Sequence, residues 1–196
     1  MARPEIKDDR REQILDAFEM CVARYGLEGA TLGKTAEFAG LARPLIRHNV
    51  GNKEDLQEAL VERFLTRSRQ AMEALLLSLP KQNRLKTLLD YLFDPRSANP
   101  QLVLVFNALS AAAPDDANLA RQLQKWLDDF VKQLEAEIAD AYPAASTDRR
   151  QAIAAGISGI YFNVEALYPI KISDGFVAAS KEAARLLVAT LEPGNG

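Results

Sequence analysis

Residues 31–53 read TLGKTAEFAGLARPLIRHNVGNK, and this stretch decides the fold. Thr31 has the type of side chain that caps a helix N-terminus, and Gly40 suits the left-handed backbone that commonly ends a helix. Pro44 is tolerated in the first turn of a second helix, because the N–H that it lacks would have no partner there. The pattern therefore predicts two short helices joined by a tight turn, which is a helix-turn-helix.

A local positive charge coincides with this motif. Residues 38–53 contain Arg43, Arg47 and Lys53 and no acidic residue, whereas the whole chain has a net charge of −3. A small basic patch on a weakly acidic chain attracts a polyanion to one face. We therefore expect the second short helix to meet double-stranded DNA.

The rest of the sequence predicts an all-α protein of about nine helices. No glycine lies between residues 52 and 155, and prolines divide this tract into pieces of ordinary helix length. Apolar residues recur with a helical period, and no alternating strand pattern occurs. The expected helices outside the motif cover residues 8–25, 53–79, 102–109, 115–142, 147–168 and 173–191.

Composition excludes several classes of function. Cys21 and His48 are the only cysteine and the only histidine of the 196 residues, so we expect no disulfide, no metal site and no nucleophile–base pair. No phosphate-binding glycine motif occurs, and the sequence indicates neither an enzyme nor a cofactor. The charged start of the chain and its short apolar runs predict a soluble, cytoplasmic protein without a secretory signal or a membrane span.

The motif resembles the TetR (tetracycline-repressor-like) family of bacterial transcription regulators. The matching residues, in register and without gaps, are Gly29-Ala30-Thr31, Thr35-Ala36, Ala39-Gly40-Leu41-Ala42, Leu45-Ile46 and Asn52-Lys53-Glu54-Asp55-Leu56. The resemblance implies a three-helix DNA-binding domain over residues 1–52, a linking helix over 52–79, and a larger helical effector-binding and dimerisation domain over 80–196. It also implies a ligand-responsive homodimeric repressor that binds a palindromic operator.

The resemblance assigns phosphate contacts to Thr31 and Lys53. The chain departs from the family pattern at Arg47, Asn49 and Val50, where Tyr, His and Phe are usual, and Arg47 and Asn49 are candidates to replace the lost phosphate contacts. Simpler roles stay open, since Thr31 could be a plain cap, Lys34 and His48 plain surface residues, and Arg47 the partner of an acid. The full set of expected DNA-binding residues is Thr31, Gly33, Lys34, Arg43, Pro44, Leu45, Arg47, His48, Asn49 and Lys53.

A stripe of small residues in the 147–168 helix predicts a surface for self-association. Small side chains let a second helix approach closely, and the resemblance implies that the last two helices pair with their copies in a four-helix bundle. The alternative is that both helices belong only to the core. The expected dimer residues are Ala152, Gly156, Gly159, Ile160, Asn163, Ala184, Val188 and Leu191.

Aromatic residues of the middle and late helices are candidates for an effector pocket, although an aromatic residue at helical spacing more often belongs to the core. A few polar groups on such apolar faces could orient a small molecule. The candidates are Phe106, Trp126, Phe130, Tyr161, Phe162 and Glu165. Because Arg47, Asn49 and Val50 depart from the family pattern, a second interpretation is a helical small-molecule-binding or adaptor protein that does not read DNA.

Overall fold

The computed structural model describes the backbone of residues 3–192 and the side chains of residues 9–192. Within that range the regular elements are all helical, which confirms the expected fold class, and no helix combines the length and apolarity needed to cross a membrane. The expected domain ends at residues 1–2 and 193–196 lie outside the described residues. The nine α-helices are α1 (Arg3–Gly29), α2 (Leu32–Ala39), α3 (Arg43–Val50), α4 (Lys53–Ser78), α5 (Arg84–Leu92), α6 (Pro100–Ala112), α7 (Ala117–Ala141), α8 (Thr147–Ala166) and α9 (Asp174–Ala189).

The first helix is longer than expected at both ends. Gly26 interrupts it with φ 70° and ψ 173°, a backbone conformation that glycine adopts without strain. The chain nevertheless continues as helix to Gly29, and the N–H of Ala30 donates to the carbonyl of Gly26 at 3.1 Å. Gly26 therefore kinks the element where the sequence placed its end.

The described chain forms two compact units. Unit 1 combines the residues up to Arg69 with Gln101–Ala120, and unit 2 combines Gln70–Pro100 with the residues from Arg121 onward. Helix α6 thus groups with the N-terminal helices, although the sequence placed it in the C-terminal domain. The domain boundaries at residues 52 and 80 stay a prediction.

In unit 1 the helix-turn-helix packs on a hydrophobic core. Helices α1, α2 and α3 pack against one another, and Ile14, Phe18 and Ile46 are fully buried. Burial of each such side chain stabilises the folded state by about 1.5–3 kcal/mol. Cys21 is also fully buried, and this burial raises the pKa of its thiol, as expected for a small core residue.

Unit 2 contains a separate apolar cluster that α5, α7, α8 and α9 build. Leu88, Ile138, Ile157 and Ala184 are buried in it at 0–1% exposure. Charged pairs connect three of these helices. Arg84 of α5 donates to the carboxylate of Glu137 on α7 at 2.7 Å. Lys181 and Arg185 of α9 contact the carboxylate of Asp90 on α5 at 2.9 and 2.6 Å. Of the residues singled out in the sequence, Phe130, Ala184 and Val188 lie in this core, and Ile160, Tyr161 and Phe162 pack against it.

Candidate nucleic-acid interface

Helices α2 and α3 form the helix-turn-helix that the sequence predicts. The hydroxyl of Thr31 accepts a hydrogen bond from the N–H of Lys34 at 3.3 Å, which caps α2. Gly40 ends α2 with φ 64°, and the N–H of Leu41 donates to the carbonyl of Ala36 at 2.9 Å. These bonds satisfy backbone groups at both ends of α2 and fix the turn that leads into α3.

Helix α3 presents its cationic side to solvent. Ile46 is the one buried residue of this helix, at 0% exposure, whereas Arg43 and Arg47 are exposed. The spacing of four residues puts both guanidinium groups on one face of α3. Neither forms an ion pair with another residue of the described chain, so the role of Arg47 as the partner of an acid is not supported.

The remaining candidates on α3 lie around the two arginines. Pro44 occupies the first turn, and the Leu45 side chain is 45% exposed. His48 is exposed beside Arg47. The amide of Asn49 donates to the carbonyl of Leu45 at 2.7 Å and keeps one N–H for an outside acceptor.

Lys34 differs from the free surface lysine that was one interpretation of the sequence. Its ammonium donates to the carbonyl of Gly29 at 3.0 Å and lies 4.1 Å from the centroid of the Tyr25 ring. This geometry allows a cation–π interaction and holds the charge beside the end of α1. No sequence pattern indicates this contact, since the two residues belong to different helices.

The start of α4 is fixed by a reciprocal capping box that the sequence analysis missed. The N–H of Asp55 donates to the side-chain oxygen of Asn52, and the N–H of Asn52 donates to the carboxylate of Asp55, both at 2.8 Å. Gly51 precedes the box with φ 86°, and a Cβ there would collide with the Asp55 carboxylate. The spacing of a capping residue followed three positions later by an acid is the signal that identifies it.

Lys53, the first residue of α4, is anchored by the capping box and by α1. Its ammonium donates to the carbonyl of Glu28 at 3.1 Å and lies 3.7 Å from the Glu28 carboxylate, which is 96% exposed. The Lys53 side chain itself is 26% exposed. Lys53 thus fastens the end of α1 to the start of α4 and still offers positive charge to solvent.

Among the described residues, Gly33 has no neighbour that requires a glycine. A Cβ at this position would have the hydroxyl of Thr31 as its nearest neighbour, at 3.8 Å. That distance is ordinary van der Waals contact, and Gly33 is partly exposed in the first turn of α2. The absence of a side chain here therefore leaves space for something outside the chain.

Sequence comparison finds regulators with this motif. The "HTH-type transcriptional regulator BetI" of Burkholderia ambifaria is 27% identical over 166 residues, which cover 82% of this chain and 84% of the relative. The "HTH-type transcriptional repressor AcnR" of Corynebacterium glutamicum is 42% identical over 50 residues, 26% of this chain and 27% of that protein. No protein-family model matches the chain.

Structure comparison finds the same fold along nearly the whole chain. The crystal structure of a TetR transcription regulator from Haloarcula marismortui superposes with a TM-score of 0.75 at 17% identity and covers 93% of this chain and 98% of that one. The chain is a helix-turn-helix transcriptional regulator with the TetR fold. Its relatives are regulators of transcription and not enzymes, in agreement with the class that the sequence indicated.

In this TetR-fold regulator most of the aromatic candidates of unit 2 lie together. The ring of Phe130 stacks on that of Tyr161 at 5.6 Å between centroids and lies 5.0 Å from that of Phe162. The Trp126 ring is 5.4 Å from the Phe162 ring. Phe106 is not one of this group, because it belongs to unit 1 and stacks on Phe64 at 5.9 Å.

The regulator's expected dimer residues divide into exposed and buried sets. Ala152, Gly159 and Asn163 are exposed on α8, while Ile160 packs against the core of unit 2. The glycine at position 156 is explained by packing within its own chain, because a Cβ there would lie 3.1 Å from a methyl carbon of Leu187 on α9. Two residues of α9, Ala184 and Val188, are buried in the core and do not lie on the exposed surface, contrary to expectation, and Leu191, just beyond the end of α9, is buried as well.

Proposed function

We propose that this regulator is a cytoplasmic homodimeric repressor that binds a palindromic operator through two copies of α3. A small molecule that binds in unit 2 releases the operator. The exposed pair Arg43 and Arg47 on a helix anchored by Ile46 is the observation that carries the proposal. A charged helix held by one buried residue can enter a major groove, where arginine reads guanine edges and grips phosphate.

The contacts around α3 support a rigid DNA-binding surface. Thr31 and Gly40 fix α2, while the Asn52–Asp55 box and Lys53 fix the start of α4. Side chains that must reach base edges work best when the backbone that carries them is already in place, because less conformational entropy is lost on binding. Gly33 leaves space for the DNA backbone beside α2.

Exposed small and apolar residues on α8 and α9 support self-association. On each helix they recur every three or four residues and so form a continuous stripe. An apolar surface of this kind fits a second copy of the same chain, and a second copy supplies the second half-site contact. The stripe residues are Ala152, Ala155, Gly159, Asn163 and Ala166 on α8, and Phe176, Ala179, Ala183 and Leu186 on α9.

Helix α4 supports communication between the ligand and the DNA. It is one continuous helix from Lys53 to Ser78, with residues of both units. A ligand shifts the DNA affinity only if it binds two conformers of the dimer with different affinities. Because α4 is continuous from unit 2 to the residues that follow α3, a conformational change in unit 2 can be transmitted along this helix to α3.

Selection from a randomised duplex library tests the proposal. We expect enriched sequences with two inverted half-sites whose centres are one helical turn apart or a multiple of it, about 10–10.5 base pairs per turn. Replacing both Arg43 and Arg47 by Ala should abolish the enrichment, whereas the matched control Arg69→Ala, at an exposed position of α4, should retain it. Enrichment of a single half-site would contradict the dimer, and no enrichment at all would favour the adaptor interpretation.

A further inference from the structure

Glu165 of α8 has a carboxylate for which the structure supplies no counter-charge. The side chain is half-buried, and no ion pair or hydrogen bond to it occurs among the described residues. Burial alone raises the pKa of this carboxyl group. A desolvated carboxylate without a partner costs free energy, so this position favours the arrival of a cation from outside.

Aromatic rings surround the same turn of α8. Tyr161 and Phe162 precede Glu165 by four and three residues, which places all three on neighbouring positions of one helical face. Burial raises the pKa of the Tyr161 hydroxyl, and the negative charge of Glu165 raises it further. Glu165 therefore borders the aromatic cluster of unit 2.

The cluster has a buried base and an accessible rim. Phe130 and Phe93 are 8% and 3% exposed, and Phe93 meets the edge of Tyr161 at 6.1 Å between centroids. Trp126, Tyr161 and Phe162 each keep part of their surface exposed. Ring faces at the rim attract a cation through their quadrupoles, and the rigid base holds those faces in place.

We propose that Glu165 and the rim rings Trp126, Tyr161 and Phe162 bind an organic ammonium cation that has an apolar or aromatic body. Such a ligand neutralises the unpaired carboxylate, places its cationic head against ring faces and covers their exposed apolar surface. Anions are repelled by Glu165, and compact inorganic cations lose too much hydration in an aromatic site. The assignment rests on the proposed ligand response of unit 2 and names the chemistry of the effector.

The fluorescence of Trp126 reports binding without a label, because it is the only tryptophan of the chain. We expect benzyltrimethylammonium to change this fluorescence saturably, while benzenesulfonate at equal ionic strength does not. Glu165→Gln keeps the shape of the side chain and removes its charge, and it should weaken binding about tenfold or more. The matched control Glu135→Gln, on α7, should bind as the unchanged protein does, and Tyr161→Leu should weaken binding through the loss of a ring.

The outcomes separate this site from the proposed repressor. Equal responses to the cation and the sulfonate, no saturable response, or unchanged affinity in Glu165→Gln would overturn the assignment. Saturable binding that depends on Glu165 but leaves operator affinity unchanged would uphold the site and overturn the ligand response. Operator binding by a protein that ignores the cation would uphold the DNA-binding function and overturn the site.

Discussion

The guanidinium of Arg63 in α4 donates to the carboxylate of Glu19 in α1 at 3.3 Å, and both side chains are nearly buried, at 8% and 10% exposure. Arg63 also pairs with Glu12 and Asp16 of α1. Gln101 of α6 donates to the other oxygen of Glu19 at 3.2 Å. Ion pairs therefore connect α1 with α4, and a hydrogen bond connects α1 with α6, so that more than apolar packing holds α1 within unit 1.

Removing Arg63 should destabilise unit 1. Arg63→Met keeps an extended side chain and leaves the negative charge of Glu19 only partly neutralised. Removing one partner of a buried ion pair typically lowers the free energy of unfolding by about 3–5 kcal/mol. Arg67→Met is the matched control, since Arg67 donates to the same carboxylate oxygen at 3.3 Å but is 50% exposed and should cost less than about 1 kcal/mol. Urea unfolding followed by circular dichroism measures both, and equal effects would show that burial of Arg63 does not matter.

Arg47→Ala should weaken operator binding by about 1–3 kcal/mol, because the exposed guanidinium is free to contact a base or a phosphate. The melting temperature should not change, since Arg47 has no ion pair within the described chain. Fluorescence anisotropy with a labelled operator measures the affinity. Arg47→Lys distinguishes the two roles: it should keep most of a phosphate contact and lose a bidentate base contact. Full affinity in Arg47→Ala would remove this residue from the interface.

Lys53→Ala should lower the affinity for operator and random DNA to a similar degree and reduce the salt slope by about 1, as expected for one phosphate contact. Glu28→Gln is the informative counterpart. It leaves the carbonyl that accepts from Lys53 and removes the carboxylate 3.7 Å away, so DNA binding should strengthen or stay equal. Affinity titrations over a range of salt concentrations test both. A loss confined to the operator sequence would contradict a phosphate role.

Gly33→Ala should separate folding from DNA binding. The chain has space for the methyl group, and alanine reduces the entropy of the unfolded state, so stability should stay equal or rise by up to about 1 kcal/mol. DNA binding should weaken, because the methyl group occupies the space next to the approaching backbone. Thermal unfolding and anisotropy on the same preparation measure the two effects. Unchanged DNA affinity would show that DNA does not approach Gly33.

Leu186→Glu should convert the proposed dimer to a monomer, because it places a charge on the exposed apolar stripe of α9, where Leu186 is 60% exposed. Leu77→Glu is the control: Leu77 is even more exposed, at 87%, but lies on α4 outside the stripe. Sedimentation velocity at several concentrations distinguishes the two variants. A dimer that survives Leu186→Glu, or one that Leu77→Glu disrupts, would require another surface.

Local sequence signals predicted most of the helix-turn-helix. Thr31 and Gly40 mark the ends of α2 because capping and left-handed backbone depend on neighbouring residues only. The capping box of Asn52 and Asp55 could have been identified in the same way. The contact of Lys34 with Tyr25 could not, since it depends on how α1 and α2 pack.

Periodicity predicted α7, α8 and α9, but it predicted neither α5 nor which face of α9 is buried. Both faces of that helix are apolar, so the sequence pattern cannot tell the side that joins the core from the side that meets solvent. The core takes Ala184 and Val188, and the exposed face keeps Phe176 and Leu186. Packing against α5 and α8 makes this choice.

The sequence by itself determined the all-α fold, the helix-turn-helix and the basic surface of α3, because helix period, capping and local charge are properties of neighbouring residues. Only the tertiary structure decided that α6 groups with the N-terminal helices, that Phe106 belongs to unit 1 while the other aromatic candidates belong to unit 2, and that Glu165 has no counter-charge among the described residues. These features depend on contacts between residues far apart in the chain, and many arrangements of the same helices satisfy the same local pattern.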